Sequence, residues 1–241
     1  MALISYEGWL FLLRWFHFLA GITWIGLLYY FNFVQVPFFA KTEAPVRTGM
    51  ITGGLVENAL WWFRWGAMIT FITGWLLILH YIGSAGGIGP YFSQPRYLSI
   101  FIGGMLGSLM WFNVWFVIWP AQQVVIASAK RVKEGGQAIP EAAARGQRGG
   151  FASRTNTLLS IPMLWFMGAA SHLPWIAPIG GGAITGMLLL LLIVLVVAEV
   201  NAMVGTTGPG KKMLSTLTGT FWGGFVITAV FWIVSMIVAG R

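Results

Sequence analysis

AITGMLLLLLIVLVVAEVNAMV, residues Ala183–Val204, decides the architecture. Its centre, Met187–Val197, is almost entirely Leu, Ile and Val, and Glu199 is the only charged side chain in the stretch. A helix of about 20 mostly apolar residues crosses the hydrocarbon core of a bilayer. The stretch therefore reads as a transmembrane helix whose Leu-rich surface meets lipid. Five more stretches of this kind surround it: Trp9–Val36, Leu60–Ile82, Tyr97–Val124, Asn156–Ile176 and Leu217–Ala239. The reading is an all-α integral membrane protein, a bundle of about six transmembrane helices, with residues 1–241 as one transmembrane domain.

Composition supports this and closes off other classes. Of 241 residues, 58% are hydrophobic and 8% charged, where a soluble domain carries about 25% charged residues. Mean hydropathy is +0.80. Asp is absent, and so is Cys. Without Cys, this chain can form no disulfide, thiolate zinc site, iron–sulfur cluster or C-x-x-C-H haem attachment. The net charge of +8 sits in loops between spans, where it orients the protein and meets anionic lipid, so it is no sign of nucleic-acid binding. The N-terminus lacks a basic segment, has Glu7 early, and runs apolar too long for a cleaved signal peptide.

Loop charge gives sidedness. Lys41 and Arg47 follow the first span, and Lys130, Arg131, Lys133, Arg145 and Arg148 follow the third. Lys211 and Lys212 follow the fifth, while the alternate loops carry only Arg96. The positive-inside rule places the basic loops in the cytoplasm and both termini outside. The loop of about residues 125–153 begins as a helix continuation and then lies on anionic headgroups or docks a partner. Gly83–Pro95 reads as a flexible outer loop and Gly205–Gly210 as a tight inner one. Neither is a phosphate cradle, because no GK[ST] follows. Gly103 with Gly107, and Gly219 with Gly223, have the small-xxx-small spacing that lets helices approach. No span is broken midway as in solute carriers, and no 3+3 inverted repeat is evident.

The chemistry-bearing residues are the histidines. Reading from His17 toward the C-terminus, Gly21 lies one turn on and Trp24 two turns on. Reading back from His172, Gly168 and Trp165 take the same places. On antiparallel helices both spans present one column of His, Gly and Trp. At 1.5 Å per residue, His17 and His172 lie about 7 and 9 Å outward of their helix midpoints, and His80 lies at the outer end of the second span. Imidazoles from two helices across a glycine floor suit a flat macrocycle, haem b, with His17 and His172 as iron ligands. His80 would be a third ligand or hydrogen-bond partner, and Arg14 a propionate clamp. Trp24 and Trp165 would flank the ring edge. Each histidine also has a plainer reading as a hydrogen-bonded packing or interfacial residue. A copper site or proton relay lacks a neighbouring Cys or carboxylate. Glu57 and Asn58 read as helix-opening caps, and Glu199 and Asn201 as groups paired or snorkelling at the inner face. Arg154–Thr157 reads as a capping stretch or an anion site at a helix start, with Pro162 close enough to that start to disturb little.

Three segments carry a family resemblance: FHFLAGITWIGLLYYFNFVQVPFFA (Phe16–Ala40), GLVENALWWFRWGAMITFITGW (Gly54–Trp75) and ASRTNTLLSIPMLWFMGAASHLP (Ala152–Pro174). They resemble the N-terminal membrane domain of bacterial membrane-bound urate oxidases, the urate hydroxylase family. In that family a multi-helix membrane domain is fused to a C-terminal cytochrome c domain. The first segment also distantly resembles haem-binding membrane proteins of the copper-resistance D and protoporphyrinogen-oxidase J type. The resemblance implies a bacterial inner-membrane protein of urate oxidase type. No C-x-x-C-H occurs up to Arg241, so the expected electron acceptor is a separate c-type cytochrome or partner complex on the outer side. The alternative is a non-catalytic accessory subunit of a larger respiratory, photosynthetic or oxygenase complex.

Overall fold

A computed structural model describes residues 4–173 and 180–238. The expected span ends at Ile176 and Ala239 fall outside the described residues. Helices α1 (Tyr6–Tyr29) and α2 (Val36–Lys41) are joined without a break by a π-helical segment, Tyr30–Gln35. A short α3 (Ala44–Thr52) leads to α4 (Leu55–Ser84), and α5 (Ile88–Ser93) to α6 (Pro95–Phe112). A second π-helical segment, Asn113–Ile118, carries α6 into α7 (Trp119–Lys133). Then come α8 (Ala142–His172), α9 (Gly181–Met203), α10 (Pro209–Ser215) and α11 (Leu217–Val238). Five units are long and apolar enough to cross a membrane: Tyr6–Lys41, Leu55–Ser84, Pro95–Lys133, Gly181–Met203 and Leu217–Ile237. With α8 they make six long helices and an all-α membrane bundle.

Helices α1 and α4 run antiparallel, since Tyr6 meets His80, His17 meets Thr73 and Trp24 meets Gly66. The hub is α8, which packs on α6, α7, α9 and α11. Every residue from Thr155 to Ser160 is buried. Small side chains make this close approach feasible, as in other membrane bundles. A Cβ on Gly103 would lie 3.0 Å from the Met167 side chain, and one on Gly224 only 2.8 Å from the Leu158 carbonyl oxygen. Pro162 has no N–H to give that carbonyl, so α11 backbone lies against the oxygen the proline leaves free.

Several polar groups inside the bundle are paired across helices. Asn113 of the second π segment donates to Asn156 Oδ1 at 3.0 Å, and Asn156 donates to the Met110 carbonyl at 2.9 Å. Ser99 donates to the Phe166 carbonyl, and Tyr29 meets Ser160. Within hydrocarbon an unpaired polar group has no water to turn to, so these bonds fix which faces meet.

Four expectations change. The fourth span starts at Ala142, not Asn156; Gly146 and Gly149 pack against Val125 and Ala121 of α7, which offsets the polar composition of that first part. Arg154–Thr157 is therefore mid-helix and caps nothing, and Pro162 lies well inside α8. Gly83–Pro95 contains α5, anchored by Tyr91, which is fully buried and stacked on Tyr97. Glu57 does not cap α4 but forms an exposed ion pair with Lys130 at 2.8 Å. The Leu-rich run behaves as read: Leu189, Leu192, Ile193, Val196 and Val197 are exposed on the bundle surface.

Candidate functional site

Two polar regions lie at opposite ends of the bundle. At the end away from the basic loops, α1 and α4 hold His17, His80 and Arg14. Thr73 Oγ1 donates its own proton to the Ile69 carbonyl at 2.7 Å, and His17 Nδ1 lies 3.1 Å from the same oxygen. A hydroxyl already committed as donor can only accept, so the contact has His17 carry a hydrogen on Nδ1, and no hydrogen bond to Nε2 is described. The ring is seated on Gly74, where a Cβ would come within 3.0 Å of its Cε1. The glycine that clears space for His17 is thus Gly74 of α4. Gly21 faces Thr70 instead.

Arg14 donates from Nε and Nη2 to the Tyr81 hydroxyl at 3.2 and 3.0 Å. No carboxylate pairs with it among the described residues. His80 meets the Tyr6 hydroxyl at 3.0 Å and Ser84 at 3.2 Å. Trp24 is buried between α1 and α4, its backbone against Gly66. His172 and Gly168 are exposed at the end of α8, and Trp165 packs edge-on against Trp232. Among the described residues no hydrogen bond or ring contact joins His17 to His172. The described hydrogen bonds between the first span and α8, Tyr29 to Ser160 and Asn32 to Ser153, lie nearer the other end.

At the basic end a cavity of about 240 Å³ opens between the first π segment, α4, α7 and α8. Phe31, Asn32 and Gln35 come from the π segment, Gln122 from α7, and Gln147, Phe151, Ser153 and Arg154 from α8. π-helical turns often mark functional sites, because the extra residue turns side chains that a regular helix would aim elsewhere. Asn32 donates to Ser153 Oγ at 2.8 Å and to the Leu28 carbonyl at 2.9 Å, tying that segment to α8 beside Arg154. Among the described residues the wall carries one cation, Arg154, and no acid. Arg154 Nη1 and Gln35 Oε1 are both buried with no hydrogen-bond partner. Behind the wall, Lys211 lies 4.2 Å from the centre of the Phe151 ring and donates to the Ala202 carbonyl. Burial, with Arg148 adding to it, holds the Lys211 ammonium below its ordinary proton affinity.

Sequence reading missed Asn32, Gln35, Gln122 and Gln147. Two amides within an apolar span, three residues apart, were the available signal.

A polytopic helical membrane protein with a polar interior is what this fold defines. More narrowly, the chain belongs to the urate oxidase N-terminal family, whose model matches residues 90–236, more than half of the chain. Comparison with curated proteins and with solved structures returned no match.

Proposed function

We propose that this chain is the membrane redox domain of a urate oxidase-type system, holding haem b in its outer half and passing electrons to a c-type cytochrome or partner complex on the outer side. Family membership supports the urate connection. The observation that carries the redox reading is His17: an imidazole oriented by Thr73 through Nδ1, with no described hydrogen bond at Nε2, on a glycine seat. A metal-binding histidine characteristically gives its other nitrogen's hydrogen to such a second partner. Arg14, one turn outward and without an acid partner, supplies the charge a propionate needs. His17 and Arg14 therefore fit a haem, and His172 is the second ligand proposed from the opposite span.

Haem b, when bound, supplies a one-electron carrier within the membrane. The protein's own contribution is positional. Thr73 fixes the His17 tautomer and ring direction, Gly74 gives the ring room, and Tyr81 restrains the Arg14 guanidinium. The basic loops support a cytoplasmic position for the cavity, and under that reading the histidines lie toward the outer face.

The visible spectrum of the purified protein tests this. A reduced-minus-oxidised b-type band, lost in both His17→Ala and His172→Ala while helicity persists, is the expected result. A colourless wild-type protein, folded and reconstituted with haem without gaining the band, would overturn the haem assignment.

A further inference from the structure

We infer that the cavity at the basic end is a binding site for a small planar anion bearing a lactam edge, a ring N–H next to a C=O, and that Arg154 and Gln35 read that edge. This deepens the urate oxidase-type reading and rests on it for the choice of probe, but not on the haem. The inference starts from Arg154 and Gln35, the two cavity-lining residues among those whose buried polar atoms have no partner. Arg154 Nη1 can only donate, and Gln35 Oε1 can only accept. Buried polar groups are almost always satisfied, and an exception calls for a missing partner. One molecule answers both if it offers an acceptor beside a donor. A halide, with no hydrogen to give, answers only the arginine.

The charge of the wall argues next. The guanidinium stays charged under all ordinary conditions, and no acid lines the cavity among the described residues. An anionic occupant would balance that charge. Chloride would leave the Gln35 oxygen stranded, and phosphate, whose P–OH could reach it, would leave the aromatic part of the wall uncovered; a planar anion with carbonyl and N–H groups on one edge meets both polar groups and lies against the rings. The remaining wall matches a flat ring. Phe31 and Phe63 meet edge to face at 5.5 Å, and the Phe151 ring is backed by Lys211. The volume, about 240 Å³, falls just below the range of about 300–1,000 Å³ typical of drug-sized ligands, which suits one bicyclic molecule.

Rigidity supports the same assignment. Gln35 sits three residues from Asn32, whose amide is bonded to Ser153, the neighbour of Arg154. The two reading groups are thus fixed across a single joint. Lys41, Arg145, Arg148 and Lys212 lie at the same end and raise the local concentration of anions.

Direct binding is the test, measured by equilibrium dialysis of labelled urate against the full chain in detergent, without turnover. Urate is expected to bind the wild type, and Arg154→Ala and Gln35→Glu should each weaken it about tenfold or more, since a hydrogen bond to a charged group is at stake. Hypoxanthine, a neutral bicyclic lactam, should bind more weakly than urate, and inorganic phosphate should not displace urate at equal concentration. Gln35→Glu places a like charge on the wall and keeps the inference falsifiable should Arg154→Ala fail to fold. Absence of urate binding to the wild type, unchanged binding in both folded variants, or displacement by phosphate would each overturn the assignment. A missing b-type band with Arg154-dependent urate binding would sink the haem reading and leave this site standing.

Discussion

Helices α8 and α9 invert the rule that governs soluble proteins. The more apolar helix, α9, lies on the outside, with much of its Leu, Ile and Val surface exposed. The more polar one, α8, carries Gln147, Ser153, Arg154, Thr155, Asn156, Thr157 and Ser160, yet it is the hub of the bundle. Lipid tails are as apolar as leucine, so burying α9 gains little, whereas burying α8 removes polar groups from hydrocarbon and lets them pair. Burial in this chain therefore follows polarity and side-chain size, and hydropathy marks the surface.

The comparison can be broken most forcefully on α8. Asn156→Leu takes the partner from Asn113 and from the Met110 carbonyl, both deep in the bundle. An expected cost of about 3 kcal/mol should appear as a lower midpoint of unfolding in detergent; a change near zero would mean that α8 is held by packing alone. Next comes Thr73→Val, which applies the same pairing logic to α4. It takes the Thr73 oxygen away from His17 Nδ1, and haem retention should fall by about 10- to 100-fold, read as loss of the b-type band on dilution. Gly224→Ala probes the approach of α11 to α8. Its Cβ would meet the Leu158 carbonyl oxygen at 2.8 Å, and a destabilisation of about 1–3 kcal/mol is expected from the overpacking, again by detergent unfolding. The smallest effect belongs to α9: Ile193→Ala, at a side chain 58% exposed, should stay within about 0.5 kcal/mol. A large loss there would show that another surface covers α9.

The same inversion explains what could be read from the sequence. The Leu-rich helix and the outlying apolar stretches were plain, because lipid contact imposes long uninterrupted hydrophobic runs. The start of α8 was not. Its Gly–Gln–Arg–Gly composition at residues 146–149 resembles a loop, and only the facing surface of α7 makes it a helix. The small-xxx-small pairs were read correctly as packing, since Gly103 meets Met167 and Gly223 meets Met213 and Leu158. Of the candidate site, His17 and Arg14 were visible as polar residues in an apolar span. Their partners Thr73 and Tyr81 were not, because spacing within one helix cannot tell which residue of another helix lies opposite. The cavity was hidden for a further reason. Its wall depends on two π-helical turns, and the 3.6-residue period used to place side chains on faces fails at both.

Those two turns set the phase of everything that follows them. A regular helix advances about 100° per residue, so removing one residue from Tyr30–Gln35 would leave the first span continuous while rotating its remaining length by more than a quarter turn. Gln35 would swing off the wall it shares with Arg154. Thus a single-residue deletion that breaks no named contact with a ligand should empty the basic-end cavity of its selectivity, and the length of this segment, more than any one side chain in it, is the quantity the site depends on.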